Sequence, residues 1–278
     1  MLLHLAPAPY HHGVASGSQA GYKCQLPMQA VVLAGGLATR LGERARRTPK
    51  YLLPVAGRPF AAWHLERLRE CGFAQVVLCI GHLGDQIRAA VGDGRAFGLA
   101  VRYSEDGPRP LGTGGALRRA HQLLCSTFLM TYGDSYLPFD YALPLRDLNA
   151  HPQALGALAV YRNRNAHDRS NVLVDGELVA HYRRLGLGDP PDPELLEIDY
   201  GAMALRRQAV EELLEPDAAA SLGQLQALLA SRGQLRAVRA ERRFYEIGSH
   251  QGLAELDELL RHPAGGHPDG TRSQDTSA

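Results

Sequence analysis

Cysteine is scarce in this sequence: four among 278 residues, at positions 24, 71, 79 and 125, with no pair at C-x-x-C spacing. Cys71, Cys79 and Cys125 stand inside apolar stretches. That pattern argues against a cysteine metal site or a disulfide framework and fits a reducing cytoplasm. Net charge is scarce too. The 30 Lys and Arg against 29 Asp and Glu leave a formal +1, so no global field draws the chain to nucleic acid or an anionic membrane. Any basic site for a phosphorylated ligand must therefore be local. No apolar run reaches the roughly eighteen residues that a membrane-spanning helix needs. Two familiar phosphate signatures are also missing. G-x-G-x-x-G would need glycine where Leu37 and Ala38 stand, and no Gly-Lys-Ser/Thr closes a Walker loop. No internal repeat is present.

What remains is an ordinary globular composition, 45% hydrophobic and 21% charged, in a length near the upper limit for one hydrophobic core. Residues 1–27 lack a positive start and are broken by His4, Pro7 and Pro9, which argues against a signal peptide. They are expected to be a disordered extension before Met28, where the first strand begins. Residues 28–261 are expected to form one domain in two halves, 28–150 and 151–261. A Pro/Gly/Ser-rich tail, 262–278, is expected to be disordered.

The hydrophobic pattern predicts strands at Ala30–Leu33, Gln75–Ile80, Ala100–Ser104 and Thr127–Tyr132. Helices are expected between them at Phe60–Cys71, Asp85–Val91 and Gly115–Leu124. This alternation implies an α/β fold, a doubly wound, mainly parallel Rossmann-like sheet with helices on both faces. Further strands are expected at Ala157–Tyr161, Val172–Val174, Leu178–Tyr182, Tyr200–Leu205 and Arg236–Val238, with Asp175-Gly176 as a hairpin turn. Helices at Gln208–Leu214, Leu222–Ser231 and Gln251–Arg261 complete the reading.

Chemistry concentrates beyond the carboxyl ends of the strands, where open α/β sheets bind ligands. Gly35-Gly36 directly follows the first strand, letting the backbone turn tightly and bring N–H groups close to a phosphate. Arg40 and Lys50 then supply cations for a triphosphate and its pyrophosphate leaving group. Downstream, Leu111-Gly-Thr-Gly-Gly-Ala-Leu117 opens a helix, where side-chain-free backbone can lie against a flat ring and free N–H groups can read its edge. Asp134 ends the fourth strand, and a carboxylate there suits Mg2+, which bridges phosphates with one or two protein carboxylates.

The string Leu33-Ala-Gly-Gly-Leu-Ala-Thr-Arg40, Pro49-Lys50 and Leu53-Pro-Val-Ala-Gly-Arg-Pro59 resembles the signature of nucleotidyltransferases that activate sugar 1-phosphates. Ala38 replaces that family's third glycine. The resemblance covers about residues 29–258 and implies a nucleotide-binding half at 28–150 and a sugar-binding half at 151–261. Within the family, GGLATRL, VAGRPF, LGTGGAL, YGDSY and FYEIGS look nearest to the D-glycero-D-manno-heptose 1-phosphate guanylyltransferase group. It implies nucleotide contacts from Leu33, Ala34, Gly35, Gly36, Thr39, Gly112, Thr113, Gly114 and Gly115, with Arg40 and Lys50 catalytic. It implies Asp134 as a first Mg2+ ligand and, from Glu246-Ile247-Gly248, Glu246 as the second, where the family commonly carries Asp. Arg183 takes the place of a lysine that holds the sugar phosphate, and Asn171, Glu197 and Asp199 are candidates for sugar hydroxyls. Dimers are common in the family, so a homodimer is an expectation.

The reaction so implied is an in-line displacement in which a sugar 1-phosphate oxygen attacks the α-phosphorus of an NTP, the expected choice being GTP with a heptose or mannose-type acceptor. The attacker is already an anion, so no histidine, serine or cysteine is needed as a catalyst. Two alternatives keep the fold. One is a CTP-dependent cytidylyltransferase acting on a non-sugar phosphate such as phosphocholine. The other is a catalytically silent nucleotide-binding regulatory subunit.

Overall fold

The computed structural model describes residues 27–36, 47–107, 109–186 and 188–262. Strand β1 (Met28–Leu33) is flanked in parallel by β2 (Phe73–Ile80) and β4 (Thr127–Tyr132), and β2 pairs in parallel with β3 (Ala100–Glu105). The remaining strands are β5 (Gly156–Arg162), β6 (Val172–Asp175), β7 (Leu178–Tyr182), β8 (Glu197–Arg206) and β9 (Leu235–Ala240). All nine join one sheet in the order β3-β2-β1-β4-β8-β5-β9-β7-β6.

The expectation of a mainly parallel sheet holds through β4 and then gives way. Strand β8 runs antiparallel to both β4 and β5, and β7 runs antiparallel to β9 and β6. Only the β5–β9 pair is parallel in that part of the sheet. For β6 and β7 the cause is connection length: they are joined by a tight turn with Gly176 at φ 58°, which reverses the chain where a crossover helix would preserve direction.

Alternate residues of the central strands feed two apolar layers. Ala30, Val32 and Leu129 face one side, and Val31, Phe128 and Met130 the other. The first side is covered by helices α1 (Phe60–Glu70), α2 (Gly84–Val91), α4 (Leu143–Ala150) and α7 (His250–Arg261). The second is covered by α3 (Gly112–Arg119), α5 (Arg207–Leu213) and α6 (Leu222–Ser231). Strands buried on both faces explain why β1, β2 and β4 read as continuous apolar runs. Helix α1 stops where foreseen, with Gly72 at φ 90° just beyond it.

Two local readings change. The helix expected at Gly115–Leu124 begins three residues earlier, at Gly112, and its α-helical part ends at Arg119, a 3-10 turn at His121–Leu123 following. Helix α4 was not foreseen. Its end is held by Arg206 of β8, whose guanidinium donates to the carbonyls of Leu148 (3.0 Å) and Ala154 (2.9 Å). No helix among the described residues is long and apolar enough to cross a membrane. Cys71, Cys79 and Cys125 are free thiols.

Candidate functional site

The carboxyl ends of β1, β2 and β4 open onto a cavity of about 490 Å³. Its floor is the loop after β1, where Leu33, Ala34, Gly35 and Gly36 all line the space. Two close approaches fix that loop. Ala34 N–H donates to the Cys79 carbonyl at 2.8 Å, and Gly133 N–H donates to the Leu33 carbonyl at 2.9 Å. A methyl group at Gly133 would lie 3.0 Å from Leu33 O and 3.1 Å from Ala34 Cα, so glycine is what lets Asp134 stand beside the β1 loop.

Lys50 reaches the cavity from a 3-10 turn, Lys50–Leu52, that starts after extended Pro49. Its neighbour Tyr51 is the anchor, buried with its ring edge-on to Phe60 and His64 of α1 at 6.0 and 5.9 Å. The segment after it, Val55-Ala-Gly-Arg58, is a hairpin turn with Ala56 and Gly57 both at positive φ. Ala56 N–H donates to Asp257 of α7 at 2.5 Å, and Trp63 Nε1–H donates to the Val55 carbonyl at 2.9 Å. This part of the signature therefore clamps the Lys50 turn to α1 and α7. Lys50 Nζ lies 2.5 Å from Asp134 Oδ2.

Asp134 and Glu246 meet through a two-residue antiparallel ribbon, Ser135–Tyr136 against Tyr245–Glu246, in which Ser135 faces Glu246. Ile247 N–H donates to the Asp134 carbonyl at 2.9 Å. Both side chains line the cavity, and a methyl at Gly248 would come within 3.0 Å of Lys50 Nζ. Lys50, Asp134, Glu246 and Gly248 thus converge from three separate parts of the sequence. Asp134 and Glu246 are the donors that could hold a metal. Among the described residues no group of three His, Cys, Asp or Glu side chains could do so, and a pair of carboxylates is the donor set that suits Mg2+, which keeps several waters.

The glycine-rich start of α3 behaves differently from expectation. Gly112 and Thr113 line the cavity. The N–H groups of Gly114 and Gly115 are not free to read a ligand, because both donate to the Ala220 carbonyl, at 2.8 and 3.2 Å. A methyl at Gly115 would sit 2.7 Å from Ala218 O, and one at Gly112, whose φ is 72°, would sit 2.6 Å from Ala220 O. These glycines let the helix press against residues 218–221, and Thr113 Oγ1 joins them by accepting from Leu222 N–H at 2.9 Å.

The four sugar-phosphate candidates do not line the cavity. Asn171 Oδ1 accepts from Asp199 N–H at 2.9 Å, and the two residues belong to one buried polar cluster. The Asp199 carboxylate accepts from Gly201 N–H, Gln226 Nε2 and Tyr182 OH at 2.9, 2.7 and 3.1 Å. Burial raises its pKa, and those hydrogen bonds oppose the rise. Glu197 is buried on β8, and Arg183 pairs with Asp192 at 3.3 Å. Thr39 and Arg40 lie outside the described residues.

Tyr132 and Asp106 are among the lining residues that escaped the sequence reading. Tyr132 ends β4, its hydroxyl pKa raised first by burial and then by the carboxylates of Asp199, Asp134 and Glu246. It is the link between the cavity and the Asp199 cluster. Asp106 follows β3, its pKa raised by burial and lowered in part by Arg119. Its signal was the carboxylate directly past a strand end, the same position that singled out Asp134.

Comparison with known proteins gives the family and the fold. The model of the MobA-like NTP transferase domain matches residues 30–245. The chain belongs to that family. The N-acetylmuramate α-1-phosphate uridylyltransferase of Neisseria meningitidis is 37% identical over 131 residues, 47% of this chain and 57% of that protein. The D-glycero-α-D-manno-heptose 1-phosphate guanylyltransferase of Campylobacter jejuni is 31% identical over 113 residues, 41% of this chain and 50% of that protein. The matched stretches thus span about half the length of these curated relatives. HddC from Yersinia pseudotuberculosis superposes with a TM-score of 0.69 over 84% of this chain and 99% of its own, at 22% identity, which shows a shared fold. The nucleotidyltransferase resemblance read from GGLATRL, LGTGGAL and FYEIGS is therefore upheld.

Proposed function

We propose that this MobA-like NTP transferase domain is a sugar-1-phosphate nucleotidylyltransferase, which forms an NDP-sugar and pyrophosphate from an NTP and a sugar 1-phosphate. The observation that carries the reading is the convergence of Lys50, Asp134 and Glu246 on one cavity beside the Gly35-Gly36 loop. A cation, two carboxylates and open backbone at one sheet edge suit phosphoryl chemistry, where positioning and charge neutralisation do most of the work. The names of the relatives from Neisseria and Campylobacter support the reaction class and leave the base open between uracil and guanine.

In this reading an anionic oxygen of the sugar 1-phosphate attacks the α-phosphorus, the bond to the bridging oxygen breaks, and pyrophosphate departs with the electron pair. Lys50 neutralises charge on the phosphates and on the leaving pyrophosphate. Arg40, which follows β1 in the sequence, is proposed to share that task. Asp134 and Glu246 would hold Mg2+, which when bound offsets the phosphate charge. The side chain of Glu246 is exposed at the cavity, so the carboxylate one methylene longer than Asp is not confined to an Asp-sized space. Asn171, Arg183, Glu197 and Asp199 are proposed to shape the acceptor side, Asp199 acting from behind Tyr132 through its buried hydrogen bonds.

The test is pyrophosphate release from purified protein with Mg2+, four NTPs and a panel of sugar 1-phosphates that includes heptose and mannose. Release that needs one NTP and one sugar phosphate, and that stops on chelation of the metal, is the expected outcome. Release with CTP and a non-sugar phosphate such as phosphocholine would replace the acceptor class. Tight nucleotide binding with no release from any pair would favour a regulatory subunit.

A further inference from the structure

We infer that Asp257 is a positioning residue for the transfer: by accepting from Ala56 N–H it holds the Lys50 turn in register with Glu246, so that one helix, α7, fixes the spacing of two groups that work on the phosphates. The inference rests on the reading of the cavity as a nucleotidyl-transfer site and concerns how that site is held together.

Lys50 and Glu246 come from distant parts of the chain, yet α7 touches the backbone of both segments. At its start the helix follows Glu246-Ile247-Gly248, and Ser249 caps it by accepting from Gly252 N–H at 3.0 Å. A methyl group on Gly252 would lie 2.0 Å from the Glu246 carbonyl oxygen. The first turn of α7 therefore rests directly on the Glu246 backbone, an approach that only glycine allows. Further along the same helix, Asp257 Oδ1 accepts from Ala56 N–H at 2.5 Å. At the α-helical rise, Gly252 and Asp257 stand about 8 Å apart along the axis. Asp257 is 35% exposed and lines no part of the cavity, so whatever it does for the reaction it does through Ala56.

The link from Ala56 back to Lys50 is short and stiff. Leu52 N–H donates to the Pro49 carbonyl at 2.8 Å, Leu53 N–H to the Lys50 carbonyl at 3.1 Å, and Phe60 N–H to the Leu53 carbonyl at 2.9 Å. Pro54 follows at once and opens the hairpin. Ala56, at its tip, stands at φ 48°, in the left-handed region that a residue with a β-carbon seldom enters unless its surroundings impose it. Trp63 and Glu66 tie the strands of the hairpin to α1, and Asp257 ties its strained tip to α7. That tie is a strong one, because the acceptor is a carboxylate whose other oxygen is held by Arg261. Without it the tip relaxes, and the displacement passes along bonded backbone to Lys50. The Lys50 ammonium has little room to absorb it, with Asp134 Oδ2 at 2.5 Å and Gly248 close beside it. A misplacement of about 1 Å can cost roughly a hundredfold in rate.

The experiment measures pyrophosphate release, with the NTP and sugar 1-phosphate that the wild type uses, on Asp257→Ala, Asp257→Asn and Arg261→Ala, after thermal melting confirms that each is folded at the assay temperature. Alongside it, acylation of Lys50 by an amine-reactive ester is timed by peptide mass spectrometry, a clean reading because Lys23 and Lys50 are the only lysines of the chain. Asp257→Ala is expected to lower kcat about ten- to a hundredfold, with a much smaller change in KM for the NTP. It should also speed the acylation of Lys50, since an amine released from its pairing with Asp134 is more open to the reagent. Asp257→Asn keeps an oxygen for Ala56 N–H and should return both readings toward wild type. Arg261→Ala, which loses the ion pair and keeps the hydrogen bond, should match wild type. Wild-type turnover and Lys50 labelling in Asp257→Ala would overturn the inference and leave the transferase reading intact. So would an Asp257→Asn or Arg261→Ala variant as impaired as Asp257→Ala. A wild type that releases no pyrophosphate from any pair would sink the reaction, and the labelling comparison would then decide the inference by itself.

Discussion

His64 is fully buried on α1, and neither ring nitrogen has a hydrogen-bond partner among the described residues. Its ring sits among those of Tyr51, Phe60 and Tyr141 at 5.6–5.9 Å. Burial therefore lowers its pKa from 6.5 to about 4, against a smaller upward pull from Asp134. An unfolded chain takes up a proton on this histidine as pH falls below 6.5, whereas the folded chain refuses it until about 4. Stability is thus full above pH 6.5 and is lost as pH falls toward 4. The full difference corresponds to about 3 kcal/mol, of which about 2 kcal/mol is lost between pH 7 and pH 5. Replacing His64 with Leu removes both the proton site and two unsatisfied ring nitrogens. The variant is expected to be at least as stable as wild type at pH 7 and to hold an advantage about 2 kcal/mol larger at pH 5. Urea unfolding of both proteins at pH 5, 6 and 7 measures this directly, because other titrating groups are common to both. Parallel pH profiles for the two would refute the reasoning.

Two further perturbations separate catalysis from packing. Lys50→Ala removes an ion pair whose side chains are 20% and 35% exposed, so the stability cost should stay within about 1 kcal/mol. Turnover should fall about a hundredfold or more, as for loss of one preorganised charge contact; equal losses in melting and in rate would sink the catalytic assignment. Gly115→Ala forces a methyl to 2.7 Å from Ala218 O, so α3 must shift from residues 218–221. The expected cost is about 1–3 kcal/mol of stability with weaker nucleotide binding, and a variant that matches wild type in both would contradict the packing role.

Much of this molecule was legible in the chain because short-range physics decides it. The apolar runs of β1, β2 and β4, the stop at Gly72 and the Asp175-Gly176 turn depend on neighbours in sequence. The same is true of the Gly35-Gly36 loop, where a strand end and a turn place backbone at the sheet edge, and of Lys50, fixed between Pro49 and buried Tyr51. The signature strings also sufficed to place the chain among the nucleotidyltransferases.

What tertiary structure decided involves residues distant in the chain. The end of α4 is held by Arg206, 58 residues beyond Leu148, and no local pattern announces such a partner. Sheet direction beyond β4 depends on where β8 inserts, and a strand's own residues do not encode its neighbours' direction. The N–H groups of Gly114 and Gly115 read as free in sequence because their acceptor, Ala220 O, lies about a hundred residues away. Asn171 and Asp199 read as ligand contacts because hydrogen bonding within the protein is invisible until Tyr182 and Gln226 are brought beside them. Asp106 shows the converse. Any chain position can carry an unremarkable aspartate, and only the closing of β2 and β3 against the Gly35 loop gives this one a place in the cavity.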